Sequence, residues 1–194
     1  MSEQDSKEAI PRDEYFKILS DMPVVCVDTL PYRIREGRVE LLLVRRAQEP
    51  AKNCLYPVGK GLKKNNFSLD WALQVVLKEM QMKSRVVRAF GFYEVIYSVG
   101  QSQDVKNGLH NPCVTYLVLL NSSEVKIDSA SSGYRWVTKK EIESGLKLPP
   151  YTQQLIEDSE IFSRKPEELE KKGEFHHRFL DYRGIDFMKF EADL

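Results

Sequence analysis

Net charge is the first thing this sequence lacks: 29 basic and 29 acidic side chains cancel over 194 residues. No global field therefore steers the chain toward nucleic acid, an anionic membrane or a polyanion, and any basic site has to be local. Cysteine is scarce, with Cys26, Cys54 and Cys113 far apart and without C-x-x-C spacing. That suits neither a disulfide framework nor a zinc site, and a reducing cytoplasm is the simplest compartment for it. Long apolar runs are missing too. No stretch approaches the ~20 residues that span a bilayer, and Met1 to Arg12 is polar without an apolar core segment, so neither export nor an anchor is expected. What the chain has is length enough for one well-buried core and too little for two full domains.

Apolar spacing then orders the elements. Asp13 to Met22 reads as a short amphipathic helix carrying Tyr15, Phe16, Ile18 and Leu19. Val24 to Leu30, bounded by Pro23 and Pro31, and Val39 to Val44 read as two strands of a hairpin through Gly37. Arg45 to Asn66 is basic and rich in Gly, Pro and Asn, the composition of a surface loop. Ser68 caps the clearest helix, with Leu69, Ala72, Leu73, Val76, Leu77 and Met80 on one stripe. Arg85 to Val99 is expected as strand, Gly100 to Asn111 as loop, Cys113 to Leu120 and Tyr134 to Val137 as strands. Thr138 with Glu141 is a capping box opening a helix that Pro149-Pro150 breaks, and Thr152 to Phe162 reads as helical. The pattern predicts an α/β domain over 13–162 after a flexible 1–12. The extension 163–194 carries Phe175, Phe179, Tyr182, Phe187 and Phe190, too apolar for a plain disordered tail, and is expected to pack on the domain or on a second subunit.

Several local matches fall in one order. Asp13-Glu14-Tyr15-Phe16 is followed by Asp21-Met22-Pro23-Val24-Val25-Cys26-Val27-Asp28, then by Leu41-Leu42-Leu43-Val44-Arg45-Arg46 with Pro50-Ala51, then by Tyr134-Arg135-Trp136-Val137-Thr138. Together they resemble the GDP-mannose mannosyl hydrolase branch of the Nudix hydrolases. The resemblance implies a mixed β-sheet sandwiched between helices, a nucleoside diphosphate sugar as ligand, an arginine, here Arg46, facing the diphosphate, and Asp28 contacting the sugar nucleotide. It also implies a homodimer and a Mg2+ or Mn2+ cofactor.

The metal-binding box of that family, G-x5-E-x7-R-E-u-x-E-E-x-G-u, belongs between Pro57 and Lys83. With Gly61 as its first glycine, Phe67 stands at the first glutamate, Val75 and Val76 replace the Arg-Glu pair, Glu79 is retained, and Met80 and Met82 replace the second glutamate and the closing glycine. Positions i, i+3 and i+4 of a helix put three ligands side by side, and here they are Val76, Glu79 and Met80. A cation that wants hard oxygen ligands gains little from one glutamate beside two apolar side chains. The glutamine and histidine that the branch uses downstream are absent from Asp128 to Gly133.

Each candidate has a plainer reading. Glu79 is a residual metal ligand or a solvated glutamate. Arg46, with Arg45, is a bidentate diphosphate clamp or a strand-end surface charge. Lys60, Lys63 and Lys64 with Gly59 and Gly61 form a phosphate cradle or a solvated basic loop. Asp28 in an apolar strand needs a polar partner on either reading. His110, in its loop, is a remote replacement for the missing base, His176-His177 reads as structural, and Cys113 as core packing. No catalytic residue is assigned. The expected function is a Nudix-fold protein with metal-dependent hydrolysis lost or strongly reduced that binds a nucleotide sugar or diphosphate. The alternatives are an active hydrolase with an atypical metal site and a structural interaction module.

Overall fold

Two residues with positive φ, Glu36 at 51° and Gly37 at 72°, join the first two strands, β1 (Cys26–Arg35) and β2 (Arg38–Arg46), in a tight hairpin whose last pair is Arg35 with Arg38. Such primed turns match the strands' own twist. The computed structural model describes residues 11–62, 68–79, 83–100, 105, 107–121, 125–126 and 130–192. Before the hairpin lies α1 (Arg12–Asp21), and after it come β3 (Leu55–Tyr56), β4 (Val58–Gly61), α2 (Leu69–Glu79), β5 (Ser84–Tyr97), β6 (Leu109–Leu120), β7 (Ser131–Thr138), α3 (Lys139–Glu143), α4 (Pro150–Ser159) and β8 (His176–Asp181). The sheet runs β3-β2-β1-β6-β5-β8, with β4 paired to β1 and β7 to β2. β1 with β6 and β5 with β8 are parallel, and the other pairs are antiparallel.

Strand alternation divides the interior into two cores. Leu30, Tyr32, Leu41, Leu43 and Leu117 join Phe16 and Leu19 of α1 and Tyr151, Leu155 and Ile156 of α4 in the larger one. Val27, Leu42, Val118 and Leu120 meet Ala72, Leu73, Val76 and Leu77 of α2 in the smaller one. The mixed sheet is thus flanked by helices, as the sequence suggested. The α2 stripe is the one read from periodicity, and Ser68 Oγ accepts from the Trp71 N–H at 3.1 Å. The Thr138 cap also forms, the Glu141 N–H donating to Thr138 Oγ1 at 3.4 Å and the Thr138 N–H to the Glu141 carboxylate at 2.8 Å. Among the described residues no helix is long and apolar enough to cross a membrane.

Four expectations need correcting. Pro31 lies inside β1 instead of bounding it: β4 pairs as far as Thr29 and β2 begins pairing at Tyr32, so Pro31 falls between two ladders on that side. The stretch 45–66 is not simply a surface loop, because Pro50, Ala51 and Cys54 to Pro57 are buried and β3 and β4 form within it. His110 and Asn111 belong to β6 and not to a loop, paired with Ile96 and Val95. The helix after Thr138 stops at Glu143, where Gly145 at φ 91° turns the chain, and Pro150 opens α4. In the C-terminal segment, β8 adds to the edge of β5. Arg178 grips the Asp158 carboxylate with two bonds of 2.7 and 3.0 Å, and Tyr182, Leu169 and Ala192 enter the larger core.

Candidate functional site

The site begins with alternation along β1. Val27 points to the α2 core, so its neighbour Asp28 faces the other way, toward α4. There its Oδ2 accepts a 2.6 Å hydrogen bond from the hydroxyl of Tyr151, the second residue of α4. Tyr151 is fixed in turn by ring contacts with Tyr56 at 5.5 Å and Tyr93 at 6.0 Å. Asp28 is 9% exposed, and burial raises its pKa above the usual carboxylate value, against the pull of the Tyr151 hydroxyl and the Arg46 charge. The predicted polar partner of Asp28 is therefore Tyr151.

Opposite Asp28 in β4 stands Gly59, and opposite Cys26 stands Gly61. A Cβ on Gly59 would lie 1.7 Å from Asp28 Oδ1, and one on Gly61 would lie 3.2 Å from Val24. The missing side chains leave room beside Asp28. A cavity of about 160 Å³ opens there, bordered by Asp28, Cys26 and Cys113 on neighbouring strands, Arg46, Tyr56, Tyr97, Asn111 and Tyr151. The Arg46 guanidinium lies over the Tyr56 ring, 4.7 Å from its centroid, and donates to the carbonyls of Gln48 at 3.4 Å and Glu49 at 3.3 Å. The Tyr56 and Tyr97 hydroxyls bond to each other, and burial raises both. Cys113 is raised as well, by its contact with Cys26 and by burial, so its thiol stays protonated.

Of the six residues singled out from sequence, the cavity brings together Asp28, Arg46, Lys60 and Gly61. Lys60 pairs with Val27, however, and shares the face of Val58 on the α2 side, so its main chain borders the cavity while its side chain points away from Asp28. Lys63 and Met80 lie outside the described residues, as does the side chain of Glu79, which ends α2. No described residue of α2 lines the cavity. Val76 is 2% exposed and packs among Val27, Leu42, Val118 and Leu120. Among the described residues no group of three or more His, Cys, Asp or Glu could hold a metal ion, and the Glu79 side chain is not among them. His110 of β6 lies 3.7 Å from Glu94 of β5, and His177 of the edge strand β8 lies 3.3 Å from it.

Tyr151, Tyr97 and Asn111 were missed from sequence. Their separation from Asp28 along the chain leaves no local signal. For Gly59 and Gly61 one existed: alternate glycines flanked by Val58 and Leu62 are compatible with a strand that needs one bare face. A larger, open depression of about 610 Å³ between α3, α4 and Phe190 gathers none of the candidate residues.

No family model matches the chain, and no curated protein does. Solved structures do. A NUDIX hydrolase from Nitrosomonas europaea is 14% identical at TM-score 0.53, covering 82% of this chain and 79% of the other. The NUDIX domain of Shewanella oneidensis NrtR, solved in complex with ADP ribose, is 18% identical at TM-score 0.53, covering 72% and 87%. A C. elegans Ap4A hydrolase is 16% identical at TM-score 0.50, covering 70% and 93%. At these identities the likeness is one of fold.

Proposed function

We propose that this Nudix-fold chain binds a nucleoside diphosphate derivative, a nucleotide sugar by the sequence resemblance, and that its metal-dependent hydrolysis is lost or strongly reduced. One contrast carries the reading: the side of the sheet that holds Asp28 and Arg46 keeps an open polar cavity, whereas Val76, at a box glutamate in the resemblance, is sealed into an apolar core. In this reading Arg46 holds the diphosphate, for which its planar fork and fixed charge are suited. Asp28, oriented by Tyr151, meets the sugar, and the main chain at Lys60 and Gly61 borders it. Lys63 adds a cation from the following segment. The ADP ribose bound by one fold neighbour and the Ap4A named for another support the ligand class. Three free, buried cysteines suit a reducing cytoplasm, and the resemblance supplies the homodimer.

The competing enzyme reading needs Mg2+ or Mn2+ held by Glu79, which on that reading would polarise phosphate oxygens. The buried Val76 counts against it. Binding and turnover of GDP-mannose, ADP-ribose, GDP and ADP separate the two. We expect micromolar binding that survives EDTA, with no product formed in Mg2+ or Mn2+. Metal-dependent release of sugar or phosphate would establish the enzyme, and a panel without any binding would end both.

A further inference from the structure

β6 presents Asn111, Cys113 and Thr115 on the face shared by Cys26 and Asp28, since Cys113 is in register with Cys26 and Thr115 with Asp28. Two of these have their polar atoms engaged. The Thr115 hydroxyl donates to the Gly91 carbonyl at 3.1 Å, and Cys113 Sγ donates to the Asn111 carbonyl at 3.5 Å. The side chain of Asn111 differs: its Oδ1 is buried and has no hydrogen-bond partner among the described residues, yet the residue lines the cavity. A buried acceptor left unmet is costly, so native chains rarely keep one without a use.

The neighbouring groups say what it would accept. The Tyr151 hydroxyl spends its proton on Asp28, and the Tyr56 and Tyr97 hydroxyls are turned on each other. The cavity therefore offers acceptors, Asp28 and Asn111, and a cation, Arg46. A matching ligand carries both hydroxyl or amine donors and an anionic group. We infer that Asn111 is the specificity residue of the cavity, accepting a hydrogen bond from a hydroxyl of the sugar beyond the diphosphate. This rests on the proposed function above. It adds a discriminating contact that neither the sequence nor the fold likeness assigns, and it distinguishes sugar-bearing diphosphates from plain ones, because a site built to bond a hydroxyl loses affinity when that hydroxyl is missing.

The test compares dissociation constants by calorimetry for ADP-ribose against ADP and GDP-mannose against GDP, in the whole protein with EDTA, for wild type, Asn111→Leu and Asn111→Asp. Wild type is expected to favour at least one sugar-bearing member about ten-fold or more. Asn111→Leu should abolish that preference. Asn111→Asp, which keeps an acceptor in place, should retain it. Thermal midpoints report on folding: removing an unmet buried acceptor leaves the free Asn111→Leu protein as stable as wild type or more so, whereas a merely structural asparagine would show a loss. If wild type binds but without preference, if Asn111→Leu keeps the preference, or if Asn111→Asp loses it, the inference is overturned and ligand binding stands. If wild type binds neither pair, the proposed function itself falls.

Discussion

Asp28 and Gly59 depend on each other. The carboxyl leans on the bare Cα of Gly59, so a methyl there collides with Oδ1 and lies 2.9 Å from the Val27 carbonyl. Gly59→Ala should destabilise the protein by about 1–3 kcal/mol, the usual cost of overpacking, and weaken ligand binding; denaturant melts and calorimetry measure both. Asp28 also sets a pH dependence. Because burial raises its folded pKa, its favourable contribution is complete below the unfolded carboxylate pKa and is lost as pH rises through the raised value. Asp28→Asn, which can still accept from Tyr151, should therefore raise the thermal midpoint at alkaline pH, with the gain fading on acidification. A gain of the same size at every pH would show that Asp28 is not a penalised carboxylate. Little of this was legible in the sequence. An aspartate in an apolar strand signalled a partner, but the partner lies 123 residues away, and only the fold brings α4 to β1.

At the scale of elements, α2 is the clearest case of sequence dictating structure and of what sequence leaves open. Its stripe fixed the buried face, and Val76 lies at the centre of that stripe. Val76→Glu should cost on the order of 3 kcal/mol, since it places an unpaired charge among Val27, Leu42 and Val118, and it should not restore hydrolysis. A Val76→Glu protein of wild-type stability with Mg2+-dependent turnover would reverse that reading. β4 was hidden for a physical reason: glycine by itself favours loops, and it is backbone pairing with Asp28 and Cys26 of β1, distant in sequence, that makes Gly59 and Gly61 strand residues. β8 is held through Asp158. Burial alone would raise that carboxyl, but the Arg178 fork, the Tyr93 hydroxyl and His176 outweigh it and lower its pKa. Its stabilising contribution is present above the unfolded value and lost as pH falls through the depressed one. Asp158→Asn should speed hydrogen exchange in β8 at neutral pH, and the difference from wild type should vanish in acid; equal exchange at neutral pH would show that the pair does not hold the strand.

Over the whole molecule, the two faces of one mixed sheet have had different fates. One is an apolar seam under α2, and the other keeps a tyrosine-lined cavity with a buried carboxyl and an arginine. The order of helices and strands followed from the succession of periodic segments, because those patterns are local, and the mixed sheet between helices came from the family resemblance. The relation of the cavity to α2 did not, because it depends on which residues of β1 and β4 face which layer. The most direct test of the proposed loss of chemistry with retention of binding is calorimetric titration of GDP-mannose and ADP-ribose into the full chain. It is run in EDTA and again in Mg2+ or Mn2+, with the recovered ligand assayed for cleavage. Equal micromolar affinity in both and intact ligand are predicted; affinity that appears only with the cation, accompanied by cleaved product, would contradict it.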